Sequence, residues 1–247
     1  MPKLNDATLT QHNDVNSHFG FSATKIGDLG ASEYTLASVV VDVSSSVAPF
    51  ASDLTKAVKE VIRACKYSPR ADNLMVRLTQ FASTIDEVHG FKLLENCNEA
   101  DYDGALSIGG STSLFDASVN AISATSIYGA DLNKSDFSAN GIVVIITDGD
   151  DNNSSLSANA VRDALAKVVR DESLESLVTI LIGVNINDAY ISQRLGDFNN
   201  LVGFTQYIEL DKADAKTLAK LAEFVSKSIS AQSQSLGTGG PSQSLTI

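Results

Sequence analysis

Three apolar runs rich in β-branched residues constrain the fold of this chain more than any other feature. They are Leu36–Val41, Gly141–Ile146 and Leu177–Val184. Apolar runs without polar alternation are typical of strands that are buried on both faces, as in a parallel sheet. Between them, segments such as Val47–Cys65 and Ser157–Val169 carry apolar residues at helical spacing. This alternation predicts an α/β fold with a doubly wound, mostly parallel central sheet and helices on both faces.

The remaining elements follow from the same patterns. Leu74–Phe81 is predicted to be a strand, and the shorter Ile85–Phe91 can pair with it as a hairpin. The hairpin partner would be one antiparallel edge strand of the sheet. Gln206–Ile208 is predicted to be the last strand, and Ala213–Ile229 a final amphipathic helix.

The composition changes at both ends of the chain and suggests three parts. Residues 1–33 are polar and weakly periodic, which predicts an N-terminal arm or irregular extension. Residues 34–230 contain all the strongly periodic elements and are predicted to be one domain. Residues 231–247 are rich in Ser, Gln and Gly, which predicts a flexible tail.

The acidic composition narrows the function classes. A formal charge of −12 argues against binding to a nucleic acid backbone, which needs Lys and Arg to displace counterions. The chain has no apolar stretch of signal-peptide or membrane-spanning length, so a cytoplasmic location is expected. Cys65 and Cys97 form no disulfide framework, and a buried thiol is expected at Cys65. The three histidines lack metal-ligand spacing and are expected at the surface.

Oxygen-bearing side chains cluster where the predicted strands end. Asp42, Ser44 and Ser46 follow the first strand, and alternate residues of an extended segment point the same way. Asp148 follows the strand that ends at Ile146, and Thr112 precedes a predicted helix. In α/β sheets, binding sites lie at the carboxyl ends of parallel strands. Carboxylate and hydroxyl oxygens suit Mg²⁺, Mn²⁺ or Ca²⁺, so these five residues are candidate metal ligands.

Helix capping is an alternative role for the hydroxyl groups. Ser44 and Ser46 could cap the helix that begins near Val47, because serine is favoured at that position. Thr112 could likewise be only an N-cap of the following helix. Ser46 could serve both purposes.

Further acidic residues flank these segments. Asp116 could form a hydrogen bond that supports the site, or it could lie on a solvated helix face. Asp150 and Asp151 extend the segment after Asp148, and they could hold a second ion. For this pair we favour a solvated turn.

Three ordered motifs resemble the metal-ion-dependent adhesion site of von Willebrand factor A (VWA) domains. The pattern in that family is DxSxS, then Thr, then Asp. The sequence has Asp42-Val43-Ser44-Ser45-Ser46, then Thr112 within Gly110–Ala117, then Asp148 within a TDG motif. Many bacterial members have Gly where Ser45 stands. The resemblance covers about residues 34–230, and within this range the chain resembles stand-alone bacterial VWA proteins.

The resemblance implies a binding function rather than catalysis. Ser44, Ser46 and Thr112 would supply hydroxyl oxygens to Mg²⁺ (or Mn²⁺ or Ca²⁺), while Asp42 and Asp148 would bind it directly or through water. The cation would then take a Glu or Asp from a protein partner. In bacteria, such proteins often partner a MoxR-type AAA+ ATPase or belong to stress and tellurite-resistance clusters.

Two other functions stay open at this point. The chain could be a structural or assembly subunit of a larger particle, which would look similar in sequence. It could also be a hydrolase with Asp42 as nucleophile. Haloacid-dehalogenase-like phosphatases use DxDx[TV], however, and position 44 is Ser here, so the general acid is missing. Neither a GxSxG nor a GxxxxGK[ST] motif occurs. We therefore expect no enzymatic activity.

Overall fold

The computed structural model describes residues 8–12, 20–240 and 245–246. Within these residues the strands form a single mixed sheet of eight, in the order β1-β2-β5-β4-β3-β6-β7-β8. The strands are β1 (Leu9–His12), β2 (Phe21–Thr24), β3 (Glu33–Asp42), β4 (Leu74–Phe81), β5 (Ile85–Leu93), β6 (Ser138–Thr147), β7 (Leu177–Val184) and β8 (Gln206–Leu210).

Five neighbouring strands are parallel and form the centre of the sheet. They are β4, β3, β6, β7 and β8. The three apolar runs become β3, β6 and β7, and their side chains are almost all buried because helices cover both faces. The predicted α/β fold with a doubly wound, mostly parallel sheet is confirmed.

Helices lie on both faces of the sheet, and each face has its own core. On one face, α1 and α5 pack on residues such as Val39 and Val144, and on the other, α2, α3 and α4 pack on Val40 and Val143. The alternation of side chains along β3 and β6 therefore builds two cores from each strand. The helices are α1 (Ala51–Lys66), α2 (Leu114–Asn133), α3 (Ala158–Arg170), α4 (Ala189–Val202) and α5 (Ala215–Thr238).

The antiparallel strand of the hairpin differs from the prediction in its position. β5 pairs antiparallel with β4, as expected, but it is not at the edge of the sheet. β2 adds to its outer side in parallel, through Ala23 and Phe91, and β1 pairs antiparallel with β2. The part of the N-terminal arm that the structure describes thus extends the sheet beyond the predicted domain.

The predicted flexible tail is wrong for its first residues. α5 continues to Thr238 instead of ending near Ile229, and Gly239 closes it in the left-handed conformation. Gln232 explains the extension, because it is 2% exposed and donates hydrogen bonds to Gly141 O (3.1 Å) and Ser176 Oγ (2.9 Å). A polar side chain of the predicted tail is thus buried and hydrogen-bonded inside the protein. Residues 241–244 and 247 lie outside the described part of the tail.

Membrane-spanning potential can be judged only for the described residues. None of their helices combines the length and the apolar character that a membrane span requires.

Candidate metal centre

The two candidate carboxylate ligands lie at the carboxyl edge of the central strands. Asp42 is the last residue of β3, and Asp148 directly follows β6, which lies beside β3 in parallel. Both carboxylates therefore emerge at the same edge of the sheet. This agrees with the expectation from the positions of the two motifs relative to the predicted strands.

Asp42 is held inside the protein by neutral donors. Its side chain is 1% exposed, and it accepts hydrogen bonds from Ser44 N (2.8 Å) and Thr147 Oγ1 (2.6 Å). Burial raises the pKa of the Asp42 carboxyl above its ordinary value, and these hydrogen bonds partly offset that effect. A carboxylate in this position is well oriented but poorly solvated.

A chain of hydroxyl groups connects the two loops. Ser44 Oγ lies 3.0 Å from Ser46 Oγ, and Ser46 Oγ donates a hydrogen bond of 2.8 Å to Asp148 Oδ1. Burial raises the pKa of Asp148 to about 6, and the nearby charge of Asp42 adds to the shift. Within the described part of the chain, no Lys, Arg or His forms an ion pair with either carboxylate. Among the described residues, Asp42 and Asp148 therefore have no cationic side chain as an ion-pair partner.

The segment that carries Thr112 is fastened to the first loop. Gly109 N donates to Val43 O (2.8 Å), and Ser45 N donates to Gly110 O (3.1 Å). Gly110 has a φ of +91°, and a Cβ there would come within 2.7 Å of Ser83 Oγ. A glycine is therefore required for this close approach. Thr112 itself is 4% exposed.

The capping alternative explains little of this arrangement. Ser44 precedes the short 3₁₀ helix Ser45–Phe50, but its side chain makes no capping hydrogen bond. The N-cap of α2 is Ser113 rather than Thr112. The hydroxyls of Ser44 and Ser46 face each other and Asp148 instead.

The donor set suits a hard cation. It consists of two carboxylates and three hydroxyl groups, which match Mg²⁺ or Mn²⁺ in chemistry. Among the described residues, no group of three or more His, Cys, Asp or Glu side chains is arranged to hold a metal. A site made mainly of hydroxyls would not contain such a group. The role of Asp42, Ser44, Ser46, Thr112 and Asp148 as metal ligands stays a prediction.

The contacts of the loop after Asp148 differ from those expected for the acidic residues near the site. Asp150 Oδ2 pairs with Arg194 Nε at 2.7 Å, and Asp151 Oδ1 accepts a hydrogen bond from Phe115 N (3.2 Å). Asp116 is 5% exposed and accepts hydrogen bonds from the backbone of this loop. The solvated turn expected at Asp150 and Asp151 is correct only in part, because both residues are half-buried and their carboxylates have protein partners. Of the two roles considered for Asp116, the hydrogen-bonding one is correct.

Sequence reasoning missed two polar groups in this region. Thr147 donates to the buried carboxylate of Asp42, a contact that its place in the TDG motif does not predict. Asn152 accepts a hydrogen bond of 2.8 Å from Thr112 N. The run of polar residues Asp150–Ser155 was the available signal, but composition alone does not distinguish a solvated loop from one that packs on a helix end.

Comparisons with known proteins support the fold. No family model matches the sequence, and no curated protein matches it significantly. Among solved structures, the PilB minor pilin from Streptococcus sanguinis is similar, with a TM-score of 0.56 and 16% identity over 89% of this chain. The pilus adhesin SpaC from Lactobacillus rhamnosus GG, in its open conformation, has a TM-score of 0.57 and 14% identity over 93% of this chain.

These matches cover only part of the similar proteins. The chain spans 66% of PilB and 35% of SpaC. At such low identity the likeness concerns the fold alone. Together with the strand order, it shows a Rossmann-like α/β fold that is consistent with the VWA architecture implied by the three motifs.

Proposed function

We propose that this protein is a metal-dependent protein-interaction module. Mg²⁺, or alternatively Mn²⁺ or Ca²⁺, would be held by Asp42, Ser44, Ser46, Thr112 and Asp148. The observation that carries the proposal is the uncompensated pair of carboxylates, which are connected through hydroxyl groups and have no ion-pair partner among the described residues. Charged groups with strongly perturbed environments cluster at functional sites.

The donor set determines what a bound cation would do. Three of the five donors are neutral hydroxyls. The two carboxylates balance the formal charge of a divalent cation, but the hydroxyls donate little electron density to it. The cation would therefore stay electrophilic. Mg²⁺ also keeps some of its waters when protein ligands are few. A Glu or Asp of a partner protein could replace one of these waters. The residues of this chain would thus position the cation, and the partner would complete its coordination.

The geometry around Asp42 supports binding rather than hydrolysis. A nucleophilic carboxylate must reach its substrate, whereas Asp42 is 1% exposed and already accepts hydrogen bonds from Ser44 N and Thr147 Oγ1. Position 44 also offers a serine where a phosphatase of this kind would need an acid. We therefore propose a non-enzymatic role.

The nature of the partner is a finer part of the proposal. The family resemblance suggests a MoxR-type AAA+ ATPase. The similar structures suggest another candidate, because PilB is a minor pilin and SpaC is a pilus adhesin. A subunit of a larger assembly is therefore our second candidate function, and in it the same cation site would contact a neighbouring subunit.

A pull-down from the source cell tests the proposal. Wild-type protein is compared with Asp42→Ala, each in buffers with Mg²⁺ and with EDTA. We expect specific partners only with wild type and Mg²⁺, and calorimetry with Mg²⁺ should show binding only to wild type. Equal recovery of the same partners under all conditions would refute a metal-dependent interaction. Equal Mg²⁺ binding by both proteins would refute the site assignment.

A further inference from the structure

We propose that Asn152 is a positioning residue that holds Thr112 in place for the cation. This inference rests on the proposed function, because it concerns how a candidate ligand is oriented. Asn152 lies in the loop between β6 and α3, which begins at the other candidate ligand, Asp148. The loop would therefore connect two parts of the site that are far apart in sequence.

The loop satisfies both backbone polar groups of Thr112. Asn152 Oδ1 accepts a hydrogen bond of 2.8 Å from Thr112 N, while Asn152 N (3.0 Å) and Asn153 N (3.2 Å) donate to Thr112 O. The peptide groups on both sides of the Thr112 Cα are thereby held by the same loop. The direction in which the Thr112 side chain leaves the backbone is fixed from outside its own segment.

Other residues of the same loop cap the N-terminus of α2. Asp151 Oδ1 accepts from Phe115 N (3.2 Å), and Ser154 Oγ accepts from Asp116 N (3.0 Å). In return, the Asp116 carboxylate accepts hydrogen bonds from Ser155 N (3.0 Å) and Leu156 N (2.8 Å). These contacts satisfy N–H groups in the first turn of α2, which Ser113 does not cap through its side chain.

This division of contacts separates the role of Asn152 from helix capping. The described side-chain contact of Asn152 is with Thr112 N, and it does not involve the first turn of α2. Removing its amide would leave the contacts of Asp151, Ser154 and Asp116 in place. Groups that orient metal ligands typically change metal affinity by about 10–100-fold when they are removed. The expected effect of Asn152 is therefore on the site rather than on the fold.

Two substitutions at Asn152 and one control test this proposal. Asn152→Ala removes the acceptor for Thr112 N, whereas Asn152→Asp puts a carboxylate oxygen in the place of the amide oxygen. Asn187→Ala is the matched control, because Asn187 is an exposed asparagine whose side chain contacts Asn185. Mn²⁺ affinity is measured by calorimetry on the full chain. Amide hydrogen exchange of Thr112 is measured by NMR in metal-free protein.

We expect Asn152→Ala to weaken Mn²⁺ binding at least about ten-fold and to accelerate exchange at the Thr112 amide. Asn152→Asp should retain the protection of Thr112 and bind Mn²⁺ at least as tightly as wild type, because its added negative charge lies near the cation, and Asn187→Ala should change neither property. If wild type binds Mn²⁺ and Asn152→Ala binds it equally well, the positioning role is refuted while the proposed function stands. If wild type binds no Mn²⁺, the proposed function fails and this inference fails with it. Unchanged exchange at Thr112 in Asn152→Ala would refute the hydrogen bond itself.

Discussion

Replacing Asp148 with asparagine is expected to stabilise the metal-free protein and to abolish its response to Mg²⁺. The Asp148 carboxylate is partly buried near Asp42, and its pKa is raised from 3.8 to about 6 by burial and by that neighbouring charge. An asparagine removes the charge but keeps an oxygen that can accept the hydrogen bond from Ser46 Oγ. The substitution therefore removes an unfavourable interaction while it preserves the local structure.

The magnitude follows from the difference in pKa between the folded and unfolded states. A pKa of about 6 against 3.8 corresponds to at most about 3 kcal/mol at neutral pH. Because part of the carboxylate is solvated, we expect an effect of about 1–2 kcal/mol. For a domain of this size that increases the Tm by about 3–6 °C.

The pH dependence has a definite sign. Since the pKa of Asp148 is higher in the folded state, the folded protein binds more protons than the unfolded chain between about pH 4 and pH 6. The metal-free wild type should therefore lose stability as the pH rises through this window. The variant should lack the part of this loss that Asp148 contributes, while the contribution of Asp42 remains. Mg²⁺ must displace the remaining protons, so its stabilising effect on wild type should be larger above pH 6 than below it.

Thermal unfolding with and without Mg²⁺ provides the assay. If the dissociation constant is on the order of 1 mM, about 10 mM Mg²⁺ adds about 1.4 kcal/mol to the stability of wild type. Asp150→Asn is the control, because Asp150 lies in the same loop and pairs with Arg194 rather than with the site. We expect the control to keep the Mg²⁺ response. A less stable Asp148→Asn variant that still responds to Mg²⁺ would refute the reasoning.

Three further outcomes are expected. Ser45→Ala should change Mg²⁺ affinity less than two-fold in calorimetry, because the Ser45 hydroxyl donates to Gly110 O rather than to a candidate ligand; a large loss would contradict the ligand set. Glu87→Gln should lower the free energy of unfolding in urea by about 3–5 kcal/mol, since Arg77, which is 1% exposed, would lose its charged partner; a change below 1 kcal/mol would argue against this ion pair. Cys65 and Cys97 are fully buried, and burial raises the pKa of both thiols, so a thiol reagent should label neither before unfolding; rapid labelling would show that their surroundings open.

The central sheet was predictable because its strands are buried on both faces. Continuous apolar runs at β3, β6 and β7 leave few alternatives, and the intervening helices require parallel crossovers. The two N-terminal strands, β1 and β2, were harder to predict from the sequence. β1 and β2 have four residues each, too few for periodicity to identify them. Only tertiary contact with β5 makes them part of the sheet.

Another missed tertiary contact explains an error at His89. The sequence placed all three histidines at the surface, but His89 is fully buried and its Nε2 lies 2.9 Å from Tyr102 Oη. The His89 side chain packs against Tyr102, which lies in the short helix Glu99–Tyr102 after β5. Local patterns in the sequence do not show which elements contact each other, and such inferences about burial are limited for that reason. His18 lies outside the described residues.

At the candidate site, local patterns identified the groups but not their mutual contacts. Alternation in Asp42-x-Ser44-x-Ser46 indicated convergence, and the hydroxyl chain from Ser44 to Asp148 agrees with it. The hydrogen bonds to the backbone of Thr112 come from a loop about 40 residues later in the chain. Polar residues in loops carry no periodic signal, so their contacts follow only from the packed structure.

The hydrogen bonds among the candidate ligands bear on how strongly a cation could bind. Ser46 Oγ donates a hydrogen bond to Asp148 Oδ1 and lies next to Ser44 Oγ. A cation would take the oxygen lone pairs and the carboxylates, so it would compete with hydrogen bonds that already partly stabilise the negative charge. Backbone contacts such as Gly109 N to Val43 O fix the loops before any cation arrives. The backbone of the candidate site is therefore fixed by its own contacts, and a cation held there would have to replace the hydrogen bond between Ser46 and Asp148.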